Sequence, residues 1–295
     1  MLTPDEIRAR LRGPICSVPT IFDQHGHLDE AGVQRVIEVA LTGGSRAIML
    51  TWFDSLFPLL TDAEVYRLTQ WVIETVAGRA LVIAADRSWW TGQSKEFAQW
   101  CRSAGADLLM VKPPALGQAT PDRLVEHYSA VADIIPVMLV GRVPSEVLPT
   151  LADQVPGIVA FKDDVGGNYG FQVARRYATR WQLITSGHLW EHLHLCPYGA
   201  VGWLSNFIIF APQVDRAYWT ALEQSDLQAA REVIFKYDEP WWDLAETFPG
   251  GADSLWHATL EVFGVAGRWR RLPYGAPDDT ELAQLRAFYQ QLGLL

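Results

Sequence analysis

The chain has 295 residues, of which 49% are hydrophobic, 20% charged and 12% aromatic, the profile of a water-soluble globular protein long enough to bury one large core. Its formal net charge of -10, with no basic run, opposes the counterion release that draws proteins onto nucleic acid or anionic lipid, and no apolar stretch approaches the roughly 18 residues of a membrane helix. Disorder, fibrous architecture, nucleic-acid partners and membrane partners are excluded on these grounds, and a small molecule is the expected ligand.

The amino terminus, Met1 to Ile7, opens as a helix start and lacks the basic region and apolar core of a signal peptide, so a cytoplasmic protein is expected. Short apolar runs then alternate with longer stretches of helical period. The runs are Ile15 to Val18, Ala47 to Leu50, Leu81 to Ala84, Leu108 to Val111, Val137 to Val140, Ile158 to Phe161, Leu183 to Thr185 and Ala200 to Trp203. They are continuously apolar, as parallel strands covered on both faces are. Between them, Thr61 with Glu64 spells a capping box, and Thr120-Pro121-Asp122 sets a cap, a first-turn proline and an acid at the positive end of a helix. Repeated strand-helix units of this kind close into a barrel more naturally than they form an open sheet, which predicts an α/β protein with a (β/α)8 TIM barrel over residues 1–224. Helical period around residues 226–239, 252–263 and 279–292 predicts a C-terminal helical region, residues 225–295, packed on that barrel.

Active sites of such barrels lie where strands end and the following loops begin. By that rule the residues to inspect are Thr51, Trp52 and Asp54 after the second strand, Asp86 and Trp89 after the third and Lys112 after the fourth. Val140 and Arg142 at the fifth, Lys162 to Asp164 at the sixth, His188 at the seventh, and Trp203, Ser205 and Asn206 at the eighth complete the set. Lys162 stands out, because the chain has only four lysines (Lys95, Lys112, Lys162 and Lys236) and this one directly follows Ile-Val-Ala-Phe. A desolvated lysine loses its proton more readily, and the neutral amine attacks a carbonyl carbon to form a Schiff base. The alternative is a structural lysine whose stem packs on the rim and whose head pairs with Asp163 or Asp164.

Several segments together resemble the dihydrodipicolinate synthase and N-acetylneuraminate lyase family of barrel lyases. They are Val18-Pro19-Thr20-Ile21-Phe22 with Gly26 and Asp29, the Leu60-Thr61-x-x-Glu64 helix start, Val111-Lys112-Pro113-Pro114, Val159-Ala160-Phe161-Lys162-Asp163, Ser186-Gly187, and Ser205-Asn206 after Gly199. The resemblance implies a barrel with C-terminal helices, assembled as a homo-oligomer (tetramer or dimer), whose strand-six lysine forms an imine with a keto acid, usually pyruvate. It assigns that role to Lys162 and implies no cofactor.

Three departures qualify the likeness. The Gly-Thr-Thr-Gly-Glu loop that holds the keto-acid carboxylate in the family is replaced by Trp52-Phe53-Asp54-Ser55-Leu56, and Asp54 falls where the second threonine would lie. A carboxylate facing a carboxylate is repulsive, so pyruvate is disfavoured. The proton-relaying tyrosine of strand five gives way to Val140-Gly141-Arg142, and the second tyrosine, after strand four, is replaced near Pro114-Ala115. Either other groups carry the protons, with Asp54, Asp86 and His188 as candidates by position and type, or Lys162 is a remnant in a protein that binds a small molecule without turning it over.

Trp52, Trp89 and Trp203 are expected to offer flat apolar faces to a carbonyl substrate bulkier than pyruvate, with Lys112, Val140, Arg142 and Asn206 as further binding candidates. His188-Leu189-Trp190-Glu191-His192 matches the His-x-x-Glu-His pattern of zinc peptidases. No third ligand is evident in the sequence, and a zinc hydrolase is kept only as a distant alternative, with no metal expected. Cys16, Cys101 and Cys196 are odd in number and unpatterned, and the glycine pairs match no nucleotide fingerprint, so neither disulfides nor a nucleotide cofactor is implied.

Overall fold

The structure is a computed structural model that describes residues 2–114 and 119–295. Eight strands, β1 (Gly13–Ser17), β2 (Ala47–Met49), β3 (Leu81–Ala85), β4 (Leu108–Val111), β5 (Val137–Val140), β6 (Ile158–Asp163), β7 (Gln182–Thr185) and β8 (Ala200–Ser205), form a closed parallel barrel in sequence order. Each predicted apolar run falls on one of these strands. The seam between β8 and β1 brings Gly202 opposite Gly13, and a side chain on Gly202 would meet the Gly13 carbonyl oxygen at 2.6 Å. Small residues at this crossing let the barrel close.

Side chains alternate between the barrel interior and the helical layer. Along β6, Phe161 points outward and stacks on Trp181, with ring centroids 6.2 Å apart, whereas Lys162 points inward and Asp163 outward again. The same parity on β8 sends Trp203 outward, where it is fully buried with Leu189 and Tyr218 in a core cluster of its own. Asp163 fastens the start of the next helix: its carboxylate accepts the backbone N–H groups of Val165 and Gly166, both at 3.0 Å. Only glycine fits at position 170, because a Cβ there would collide with that carboxylate.

Helices cover the barrel, and one of the two caps expected from the sequence forms. The helix Asp62–Val76 starts at the predicted Thr61/Glu64 capping box, with both reciprocal hydrogen bonds present. The helix Pro121–Ala132 has Thr120 at its cap position, yet that hydroxyl makes no capping bond. Beyond the helix Pro212–Glu223, the chain forms the helix Leu227–Val233, a π-helical turn Ile234–Asp238, and the helices Glu239–Thr247, Gly251–Val262 and Asp279–Gln291. The helical stretch expected to stop at residue 239 thus runs on to Thr247. Pro240 lies at the start of the helix that continues it, directly after the π-helical turn.

Arg271 ties this C-terminal region back to the barrel. Its guanidinium grips both oxygens of Glu64 at 2.6 and 2.9 Å and donates to the carbonyls of Gly26 and Leu59. Among the described residues, no helix is long and apolar enough to cross a membrane.

Candidate active site

A cavity of about 370 Å³ opens at the carboxyl ends of the strands, with the helices Glu239–Thr247 and Gly251–Val262 folded over one side. Lys162 reaches it from β6 with only 5% of its side chain exposed, and its Nζ is ion-paired with Asp164. The pairing anticipated for a structural lysine therefore exists. It is open, however: Asp164 is 40% exposed and lines the same cavity, while Asp163 is held by backbone donors on the outer face. Val140 stands opposite Lys162 in the β5–β6 register and presents a hydrocarbon wall.

The loop after β2 forms the facing wall. Ser55 pins it by donating to the Val18 carbonyl at 2.6 Å and accepting the Thr51 N–H at 3.0 Å, and the Thr51 hydroxyl accepts the Asp54 N–H. Trp52 and Asp54 consequently face the cavity. Desolvation raises the Asp54 carboxyl above the usual carboxylate range, opposed by the nearby Lys162 ammonium and by hydrogen bonds from Ser17 and Thr51. Lys112 completes this wall, its Nζ 4.0 Å from the centroid of the Trp52 ring. Partial burial lowers the Lys112 ammonium, and the charges of Asp164 and Asp86 oppose that shift. Asn206 closes the β8 side, its amide donating to the Gly187 carbonyl and its own carbonyl accepting from Trp256.

Lys162, Asp54, Trp52, Lys112, Val140 and Asn206 are thus brought together, and five other candidates are not. Asp86 is buried beside the cavity, where it accepts from Ser94 Oγ at 2.9 Å and the Ser88 N–H at 3.1 Å; desolvation pushes its carboxyl up to about 6. Trp89 packs edge-on against Phe97, away from the opening. Arg142 is exposed and lies 5.2 Å over the Tyr169 ring. Trp203 donates its indole N–H to Asp215 in the outer layer. His188 does not line the cavity but stacks on Trp242, which does, with centroids 3.9 Å apart; its imidazolium is disfavoured by desolvation.

The His-x-x-Glu-His segment splits three ways. His192 is buried with its ring against Trp203 and Nδ1 3.0 Å from the Tyr218 hydroxyl, and desolvation pushes it down to about 3. Glu191 is hydrogen-bonded by Ser186. Among the described residues no three His, Cys, Asp or Glu side chains converge as metal ligands, so the zinc arrangement suggested by the motif is not formed.

Asp164, inspected at the end of the sixth strand, lines the cavity, and the lining residues that sequence reasoning missed are Ser186, Trp241, Trp242, Asp253 and Trp256. The last four come from the C-terminal helices, outside the barrel loops where the strand-end rule directs attention. Their available signal was the recurrence of tryptophan in that region. No tyrosine lines the cavity among the described residues; Pro114 is described, but Ala115, beside it in the expected second-tyrosine segment, lies outside them.

The model of the dihydrodipicolinate synthetase family matches residues 10–292. A probable 5-dehydro-4-deoxyglucarate dehydratase from Streptomyces avermitilis is 26% identical over 290 residues, covering 95% of this chain and 87% of the relative. The 4-hydroxy-tetrahydrodipicolinate synthase 1 of Streptomyces coelicolor is 28% identical, covering 99% and 97%. Among solved structures, a putative dihydrodipicolinate synthetase from Pseudomonas aeruginosa superposes with a TM-score of 0.84 at 24% identity, covering 96% of this chain and 99% of the other. N-acetylneuraminate lyase from Mycoplasma synoviae gives 0.84 at 19% identity, covering 97% and 99%. The structural likenesses share the fold, and the relatives carry the names of lyases, synthases and dehydratases. With the family model spanning nearly the whole chain, the protein belongs to the dihydrodipicolinate synthetase family.

Proposed function

We propose that this protein is a cofactor-independent, Schiff-base-forming lyase or aldolase in which Lys162 attacks a carbonyl substrate bulkier than pyruvate. The outcome is carbon-carbon cleavage, carbon-carbon formation or dehydration. The observation that carries the proposal is a nearly buried lysine at the wall of an open cavity, on the sixth strand of a barrel of this family. Imine formation turns the substrate carbon into an electron sink, which lowers the cost of the carbanion that each of these outcomes requires.

The size of the substrate is argued from the walls. A cavity of about 370 Å³ lies in the range that encloses drug-sized ligands, and the rings of Trp52, Trp242 and Trp256 offer flat apolar surface to a longer or aromatic chain. Asp54 adds a carboxyl where a small keto acid would bring its own.

Binding without turnover is the second reading, favoured by the Lys162–Asp164 ion pair, in which the lysine serves only as a counterion. Borohydride reduction with pyruvate, acetaldehyde, benzaldehyde and longer keto acids, followed by intact-mass measurement, separates the two. A mass increase with the bulkier carbonyls, absent in Lys162→Ala, is expected; none with any carbonyl contradicts imine chemistry. The homo-oligomer that the family resemblance implies belongs to the same proposal and is read by sedimentation.

A further inference from the structure

We propose that Asp164 is the acid-base catalytic residue of imine formation, in the place left by the tyrosine that this chain lacks. The inference rests on Lys162 being the imine-forming residue. Four observations support it. Asp164 is ion-paired with the Lys162 ammonium and so contacts the reacting nitrogen. It lines the cavity with a partly exposed carboxylate that can turn between the nitrogen and a bound substrate. Val140, opposite Lys162, has no proton to move. The hydroxyl of Tyr169, on the helix that follows β6, is committed elsewhere, donating to the Val143 carbonyl at 2.7 Å.

The other ionisable groups around Lys162 are less suited. Asp163 is held by two backbone donors on the outer face. Glu191 is engaged by Ser186. Lys112, across the cavity, is engaged with the Trp52 ring and carries the wrong charge to accept a proton from an ammonium. Asp54 faces the cavity from the β2 side, its N–H donating to the Thr51 hydroxyl, and Lys162 is ion-paired with Asp164 and not with Asp54.

The proton count closes without any external reagent. Asp164 takes a proton from the Lys162 ammonium, and the freed lone pair forms the N–C bond as the carbonyl π pair moves to oxygen. That oxygen receives a proton from the new ammonium nitrogen, giving a neutral carbinolamine. Asp164 then returns its proton to the carbinolamine hydroxyl, the C–O bond breaks, water leaves, and the nitrogen lone pair closes the C=N bond. The products are one iminium and one water, with the Asp164 carboxylate left beside the positive nitrogen as its counterion.

The test follows the rate of borohydride-trapped adduct formation, with benzaldehyde, pyruvate and acetaldehyde as probes, in wild type, Asp164→Asn, Asp164→Ala and Lys162→Ala. A positioned acid-base group contributes on the order of 10²- to 10⁴-fold, so Asp164→Asn and Asp164→Ala are expected to label Lys162 at least about 100-fold more slowly. Added formate, a small carboxylate able to occupy the vacated volume, should speed labelling of Asp164→Ala in proportion to its concentration and leave Lys162→Ala unlabelled. Circular dichroism identical to wild type excludes misfolding as the cause, and formate rescue reads proton transfer, which a merely structural role would not restore. Labelling of both variants within threefold of wild type, or slow labelling that formate does not accelerate, overturns the assignment of Asp164. Absence of wild-type labelling with every probe overturns the imine proposal itself and this inference with it.

Discussion

Asp54 lines the cavity wall and is the group proposed to disfavour an anionic keto acid. Its carboxyl is raised by desolvation, so it gains negative charge only as pH climbs above the ordinary carboxylate range. An anionic keto acid should therefore bind progressively more weakly as pH rises through that titration. Asp54→Thr removes the carboxylate and should tighten pyruvate by about tenfold, or about 1.4 kcal/mol, at the pH where the wild-type affinity is weakest, while flattening the pH dependence. Isothermal titration at several pH values measures both effects, and an unchanged affinity with the same pH profile would count against Asp54 as the group that disfavours pyruvate. At this scale the sequence was informative about position along a strand and silent about face. Trp52 and Trp203 both lie near strand ends, yet one faces the cavity and the other the outer core. A strand apolar on both faces carries no alternation from which to tell them apart.

The helix Asp62–Val76 shows how one residue can serve two elements. Glu64 accepts the Thr61 N–H in the capping box and also receives the Arg271 guanidinium, which holds its carboxyl at about 2. Thr61→Ala should cost about 1 kcal/mol of unfolding free energy, as loss of an N-cap does. Arg271→Ala should also be destabilising, and its effect should depend on pH. Because the folded pKa of Glu64 is depressed, the contribution of its pair is complete above the ordinary glutamate range and is lost as pH falls towards 2. Denaturant unfolding at neutral pH and near pH 3 checks the sign: the gap between wild type and Arg271→Ala should narrow in acid, and a gap that widens would refute the pairing. The capping box was legible because its partners are three residues apart. Arg271 was not, since it lies 207 residues from Glu64 and only the folded C-terminal region brings them together.

Across the whole molecule, carboxyl groups buried outside the cavity also contribute to its response to pH. Asp215, holding Ser205 and Trp203, is pushed up to about 7 by desolvation, and Asp238, which accepts the Leu189 N–H, to about 8. Each binds its proton more tightly folded than unfolded, so each lowers stability as pH rises from the ordinary carboxylate range towards 7 or 8. The slope is up to about 1.4 kcal/mol per pH unit for each group. Asp238→Asn, which keeps the acceptor for Leu189, should lessen the loss of stability across that window; thermal unfolding from pH 5 to pH 8 measures it, and a loss as steep as wild type would contradict the assignment.

The barrel itself was legible because eight apolar runs at regular intervals admit few topologies. The site was legible only where it is made by strand ends, as at Lys162, Lys112 and Asn206. Asp164 was legible as a strand-end residue, but which of two adjacent aspartates pairs with Lys162 was not, and the tryptophans of the C-terminal helices were hidden because their place over the cavity is a tertiary fact.

The central claim is that the amino group of Lys162 forms the imine, and peptide mapping of the borohydride-reduced adduct tests it most directly. An alkylated Lys162 resists trypsin, so a single peptide spanning residues 143–175 is expected to carry the reduced substrate mass and to retain the uncut bond after Lys162. An adduct on Lys112, Lys95 or Lys236, with Lys162 cleaved normally, would contradict it.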